Sequence, residues 1–208
     1  MKCLMSPFII SIFAWVSLLS YAVSFLPQII KNYRLKTTAG LSDAYLLSFL
    51  IAYITCVYYV FHCNLMMAYK VFVPLELAGV CFILCQRLWY EGLAAHKRFF
   101  AFVAFYVVLG VVSFPLGLWW PLEFGTVCGW IAAIFFSTNQ IPQVLKMYRQ
   151  KSVHGFSFVF VSIVGFGTIL EMIVSFAKPL PVPTQFMAIR GLFFYILFCL
   201  QFYLYRKR

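Results

Sequence analysis

Three ionisable residues lie within long apolar stretches of this 208-residue chain: Glu76, Glu171 and Arg190. A charged side chain in a hydrocarbon environment is costly, so such residues usually form pairs, line a cavity or serve a function. Burial in a low dielectric favours the neutral form of a carboxyl group, so a buried glutamate can take up a proton near neutral pH. These residues therefore suggest proton transfer or recognition of a charged solute.

Glu171 lies deepest in its apolar stretch, and we predict that it couples transport to protons or binds the substrate. Glu76 and Arg190 allow two interpretations. They could form a structural ion pair, or Glu76 could assist proton coupling while Arg190 binds the substrate. Asp43 and Glu123 begin their apolar stretches, which places them at a membrane interface.

Other polar and aromatic residues are candidates for the walls of a binding pocket. Asn139 is an amide in an apolar stretch, and a substrate could satisfy it. Trp15 and Trp130 each lie twelve residues before a Pro-Gln pair, where they could belong to an interfacial aromatic belt or line a pocket with Tyr53.

The composition identifies the elements that must position these residues. The chain is 64% hydrophobic and 10% charged, against about 45–50% and about 25% in soluble domains. This excludes a disordered chain, a small disulfide-rich protein and an ordinary soluble enzyme, and it favours an integral membrane protein. We count seven apolar spans, with bounds good to a few residues: 8–30, 43–62, 71–88, 99–120, 124–145, 156–177 and 185–205.

The basic residues predict the orientation of these spans. Twelve of the sixteen Lys and Arg residues fall on the side reached after spans one, three, five and seven. The positive-inside rule places that side in the cytosol. The N-terminus is then outside or lumenal and the C-terminus cytosolic, and the net charge of +11 gives no indication of nucleic-acid binding.

An internal repeat divides the chain. At an offset of 115, residues 27–42 align with 142–157, and eight of the sixteen positions are identical. Three spans per unit and one connecting span give two parallel repeats related by a pseudo-two-fold axis along the membrane normal. We predict an all-α, seven-span membrane protein of 3+1+3 design, divided into a first repeat, a linker helix and a second repeat: 1–98, 99–122 and 123–208.

Each repeat carries a Pro-Gln pair, Pro27-Gln28 in the first and Pro142-Gln143 in the second. A proline within a helix removes one backbone hydrogen bond and weakens the preceding turn. Paired prolines at matching positions could act as hinges of a gate, with the glutamines bonding the freed backbone. The alternative is that each pair simply ends its helix.

The doubled Pro-Gln motif, with its following Lys, Arg and Gly-x-Ser, resembles the PQ-loop repeat proteins, which include cystinosin-like transporters and, more distantly, the SWEET carriers. Residues 86–91 (QRLWYE) and 204–208 (LYRKR) also resemble the cystinosin-like branch. The resemblance implies transport by alternating access, often coupled to protons. The acidic residues assigned to proton coupling in that family do not map cleanly onto this chain.

We therefore expect a transporter of a zwitterionic or cationic amino acid, with proton coupling as a further hypothesis. A SWEET-like carrier of sugars or other neutral solutes is the first alternative, and a membrane receptor or lipid-handling factor is the second. We expect no enzymatic activity, cofactor or metal site. The short tails favour a bacterial cytoplasmic membrane over a lysosomal or vacuolar one.

Overall fold

The structure, a computed structural model, describes residues 6–39, 41–113, 115–153, 157–178 and 180–205. These residues form helices and short connections, with seven candidate membrane spans, which confirms the predicted fold class. Residues 154–156 of the second motif and the basic residues 206–208 lie outside the described residues. A short 3-10 turn (Ala94–His96) precedes the fourth helix, and the helices in order are α1 (Pro7–Leu35), α2 (Asp43–His62), α3 (Met67–Glu91), α4 (Lys97–Ser113), α5 (Leu116–Trp119), α6 (Pro121–Gln150), α7 (Phe158–Ala177) and α8 (Val182–Tyr205).

The first and fifth spans continue beyond their predicted ends near residues 30 and 145. Helix α1 runs to Leu35 and α6 to Gln150, so neither Pro-Gln pair ends its helix. Both helices end instead at a lysine with left-handed backbone, Lys36 (φ 52°) and Lys151 (φ 48°). The cationic final turns extend these helices because charged side chains can reach the polar membrane interface.

The fourth span is interrupted close to Pro115. Helix α4 ends at Ser113, and the four-residue α5 begins at Leu116. Proline offers no amide hydrogen to the helix, which accounts for the break.

The six helices of the two repeats form a closed ring. Within the first repeat α3 packs against both α1 and α2, and within the second α8 packs against both α6 and α7. The two halves meet through α1 with α7 and through α2 with α6. Each junction joins the first helix of one repeat to the second helix of the other, as a pseudo-two-fold axis requires. Helix α4 lies outside the ring against α2.

Individual atoms repeat as well. The Gln86 side-chain amide donates to the carbonyl of Ile29, and that of Gln201 donates to the carbonyl of Val144, each at 3.0 Å. Both bonds join the third helix of a repeat to its first helix at positions 115 residues apart. The repeat seen in sequence is therefore a repeat of tertiary contacts.

The connections give the ring two distinct ends. We call the end where α1, α3, α6 and α8 finish the basic face, because Arg34 and Arg149 lie in the final turns of α1 and α6, and Arg87 lies four residues before the end of α3. The other end is the opposite face. Most of the core lies in the first half, with a smaller separate apolar cluster in the second half around Met147 and Phe202.

Candidate functional site

The ring encloses a cavity of about 120 Å³. This is room for on the order of ten waters or a small organic solute. All six ring helices contribute to its walls, which are mainly aromatic and aliphatic. Its polar groups include Tyr21, Tyr53, Glu76, Thr168, Glu171 and Arg190.

Glu171 makes a hydrogen bond between the two halves. The Tyr21 hydroxyl on α1 donates to Glu171 Oε2 on α7 at 2.7 Å and lies 3.0 Å from Thr168 Oγ1. A hydroxyl bonded to a carboxylate is a charge-assisted contact, stronger than a neutral one. Binding of a proton or a cation to the Glu171 carboxylate would therefore alter a contact that holds the two halves together.

Arg190 lines the cavity on the side formed by the second repeat. Its Nη1 donates to the carbonyl of Phe136 at 2.8 Å, and its guanidinium lies 5.6 Å from the Phe136 ring centroid. Its buried Nε has no hydrogen-bond partner among the described residues. The guanidinium is thus held in place while retaining one donor that a solute anion could use.

Glu76 lies on α3 beside the Tyr53 hydroxyl and is only 4% exposed. Its Oε1 has no hydrogen-bond partner among the described residues. Glu171, and not Arg190, is its main charged neighbour. No Lys or Arg nitrogen of the described residues lies within 4.0 Å of either glutamate, so the Glu76–Arg190 ion pair, one of the two interpretations of these residues, is not formed in this conformation.

Phenylalanine and tyrosine rings form the wall between these polar groups and the basic face. The Tyr53 and Phe136 rings meet edge to face, with centroids 4.9 Å apart, across the junction of α2 and α6. Phe49 and Phe25 extend this cluster within the first half. Edge-to-face packing makes such a wall dense and well ordered.

The two tryptophans lie outside the cavity lining. Trp15 is 40% exposed and packs edge-on against Phe72, and Trp130 is 41% exposed beside Phe186. Asn139 is 1% exposed and does not line the cavity either, and both polar atoms of its amide lack a partner among the described residues. The structure therefore does not bring these three residues together with the glutamates.

The first Pro-Gln pair is tied to a buried amide network. Gln28 donates to Asn32 Oδ1 at 2.8 Å, and Asn32 donates to Gln86 Oε1 at 3.1 Å. Helix α1 continues past Pro27 for eight residues. The network supports the turns around this proline from the neighbouring α3.

The second Pro-Gln pair has a less polar environment. Helix α6 also continues past Pro142, and Gln143 is buried. Met147 occupies the repeat position of Asn32, so Gln201 Oε1 has no donor among the described residues. The two prolines therefore share a position in the repeat and differ in their support.

Side-chain hydrogen bonds between the two halves lie toward the opposite face. Ser17 donates to the Gly167 carbonyl at 2.9 Å, and Tyr59 and Thr184 share a hydrogen bond of 2.8 Å. The Tyr21 hydroxyl adds its bonds to Thr168 and Glu171, and Cys63 Sγ makes a weaker contact of 3.9 Å with Thr126 Oγ1. Toward the basic face, the facing side chains that line the cavity include three phenylalanines: Phe25, Phe49 and Phe160. In this conformation polar bonds hold the opposite-face end together.

A charged cluster at the basic face was not predicted. Arg87 Nη2 lies 2.5 Å from Asp43 Oδ1 and 3.7 Å from Glu91 Oε2. His96 lies between the same carboxyl groups, 3.4 Å from Asp43 and 2.8 Å from Glu91. The spacing of Arg87 and Glu91, one helical turn apart, was the available signal. Charges are so common at membrane interfaces that this signal did not stand out.

Comparisons with known proteins agree with the repeat. A family model described as the PQ loop repeat matches residues 9–65 and 124–184. Cystinosin of Drosophila melanogaster is 29% identical over 173 residues, which cover 70% of this chain and 43% of that protein. An uncharacterized protein of Schizosaccharomyces pombe is 29% identical over 174 residues, 78% of this chain and 60% of that protein. The chain thus spans less than two thirds of the length of either relative.

Proposed function

The chain belongs to the PQ-loop repeat family, and from this premise we propose that it is a membrane transporter of a zwitterionic or cationic amino acid. The observation that carries the proposal is the cavity between the repeats, which is lined by two glutamates and one arginine and in which Glu76 Oε1 and Arg190 Nε have no hydrogen-bond partner among the described residues. A neutral solute does not need buried charges, whereas an ammonium group and a carboxylate match them.

In this mechanism the solute binds between the halves. Its ammonium group approaches Glu171 and Glu76, and its carboxylate approaches the free Nε of Arg190. The ammonium competes with the Tyr21 hydroxyl for the Glu171 carboxylate, which weakens the bond between α1 and α7. Binding thereby favours separation of the halves at the opposite face, because a solute shifts the equilibrium toward the state that it binds better.

Proton coupling follows from the same contact. Protonation of Glu171 removes the negative charge that makes the Tyr21 bond strong, so it also loosens the opposite-face end. Glu76 lies close enough to influence that charge. Movement of the halves would occur about the two Pro-Gln pairs, where proline has removed one hydrogen bond of the helix.

The membrane arrangement extends this proposal. The excess of basic residues favours a cytosolic basic face and an outside or lumenal opposite face. In that orientation, the polar bonds between the halves close the outside or lumenal end. We assign no enzymatic activity to the chain.

Uptake by proteoliposomes that contain the purified chain tests the function. We expect accumulation of a labelled cationic or neutral amino acid and none of a labelled sugar. Glu171→Gln should reduce uptake and remove its response to a pH gradient, whereas Glu123→Gln, at an exposed carboxyl on α6, should leave both unchanged. Uptake of sugar alone would favour the neutral-solute carrier, and uptake of neither, with or without a pH gradient, would refute transport of these solutes.

A further inference from the structure

The two repeats have the same arrangement of helices, but the side chains that join their second and third helices at the basic face differ in chemistry. In the first repeat Asp43 and Arg87 form an ion pair at 2.5 Å between α2 and α3. The residues 115 positions later are Phe158 and Phe202, whose ring centroids lie 5.2 Å apart between α7 and α8. One junction is therefore ionic and its counterpart is aromatic.

The ionic junction extends over neighbouring segments of the first repeat. Glu91 accepts hydrogen bonds from the Thr38 backbone amide, at 2.9 Å, and from the Thr38 hydroxyl. Arg87 donates to the Leu41 carbonyl at 3.3 Å, and His96 brings the turn before α4 to the same carboxyl groups. The loop after α1, the start of α2, the end of α3 and the start of α4 are thus joined by ion pairs and hydrogen bonds.

A second, independent difference lies on the first helix of each repeat. Asn32 links Gln28 to Gln86 through two hydrogen bonds: its Oδ1 accepts from Gln28 and its Nδ2 donates to Gln86. Met147 interrupts the equivalent chain on α6, and the buried Gln201 Oε1 is left without a partner among the described residues. Among the described residues, Asn32 thus provides two side-chain amide bonds that Met147, at the equivalent position after Pro142, cannot make.

From these two differences we propose that the gate at the basic face is asymmetric. The basic end of the first repeat is the fixed part, and the end of α6 beyond Pro142, with the start of α7, is the part that moves. Ion pairs and hydrogen bonds need defined geometry, whereas aromatic and aliphatic contacts are non-directional and tolerate sliding. Polar bonds between parts of one body resist the small sliding motions by which packed helices rearrange.

The proposal concerns the motion of the gate and so rests on the proposed transport function. Amide hydrogen exchange of the whole purified chain in lipid nanodiscs tests it without any substrate. A failure of uptake with asymmetric exchange would count against the transport function alone, because local opening is measured directly. Symmetric exchange with intact uptake would count against this proposal alone.

We expect residues 143–150 to exchange faster than the equivalent residues 28–35, by about fivefold for each hydrogen bond of difference. Equal exchange in the two segments, or slower exchange in the second, would overturn the proposal. This comparison uses the unaltered chain, so it does not depend on whether a variant folds.

Two reciprocal substitutions, which swap the residue types at positions 32 and 147, make the test more specific. Met147→Asn supplies the donor that Gln201 Oε1 lacks, and we expect it to slow exchange in 143–150 about fivefold. Asn32→Met removes the same link from the first repeat and should speed exchange in 28–35 by a similar factor. Each substitution should leave the other repeat unchanged. No slowing in Met147→Asn would refute the role assigned to this position.

Discussion

Removal of the Tyr21 hydroxyl should loosen the opposite-face end of the ring. The hydroxyl donates to Glu171 Oε2 at 2.7 Å and links α1 to α7. A hydrogen bond to a charged group contributes about 1.5–3 kcal/mol. If this bond forms only in the observed conformation, Tyr21→Phe shifts the equilibrium toward an open opposite face by roughly 10- to 150-fold.

The assay is alkylation of a reporter cysteine near that end of the cavity. Leu65 lines the cavity between α2 and α3 and is 7% exposed, so Leu65→Cys should react slowly with an impermeant maleimide in the closed conformation. We expect Tyr21→Phe to increase the alkylation rate by at least tenfold. The alkylation rate measured in a chain that keeps the native Leu65 gives the background from the other cysteines.

A matched control separates the contact between the halves from the general loss of a hydroxyl. Ser20 is adjacent to Tyr21 on α1, and its hydroxyl donates to the Val16 carbonyl of the same helix at 2.8 Å. Ser20→Ala should therefore leave the alkylation rate unchanged. If Tyr21→Phe reacts no faster than Ser20→Ala, the Tyr21–Glu171 bond does not hold the halves together.

Three further predictions concern stability. A Cβ added at Gly165 would lie 2.0 Å from the Tyr195 ring. Gly165→Ala should therefore reduce the free energy of unfolding by about 1–3 kcal/mol, which is measured as a lower Tm in lipid nanodiscs. Adding Tyr195→Ala to this variant should restore part of the loss. Asp43→Asn removes the nearest carboxylate partner of the buried Arg87 and leaves Glu91 at 3.7 Å, so it should also lower Tm, with a loss below the about 3–5 kcal/mol of a fully buried pair because Asp43 is 45% exposed. An unchanged Tm would refute a structural role for this pair. A transported amino acid at a hundredfold excess over its Kd should stabilise the chain by about 2.7 kcal/mol, and a scan of Glu171→Gln should show little of this stabilisation.

The helices and their repetition could be predicted from sequence because membrane spans and duplicated motifs leave local, periodic signals. The bonds from Gln86 to Ile29 and from Gln201 to Val144 lie at the predicted offset. The ends of α1 and α6 were less predictable. Hydropathy falls before a helix ends when its final turns are cationic, and the left-handed lysine that terminates it gives no distinct signal.

The composition of the cavity was harder to predict. Lipid tails are as apolar as a protein core, so hydrophobicity does not tell an aromatic residue at the lipid surface from one in the cavity. This is why Trp15 and Trp130 were candidates for the wall that Tyr53 and Phe136 form. Glutamates inside the spans stood out because charge is rare there, but the partner of Glu171 lies 150 residues away on another helix. Such a pairing depends on the rotation of both helices.

The helices of the ring follow a pseudo-two-fold axis, but the polar side chains of the cavity do not. Glu171 corresponds by the repeat to Cys56, Tyr21 to Phe136, and Arg190 to Leu75, so the axis that relates the helices does not relate the polar groups. A solute therefore has one bound pose and not two equivalent ones. Carboxyl, guanidinium and aromatic surfaces at three fixed places also distinguish mirror images. Enantiomers of one amino acid should compete unequally for the cavity, although they have the same size, charge and hydropathy.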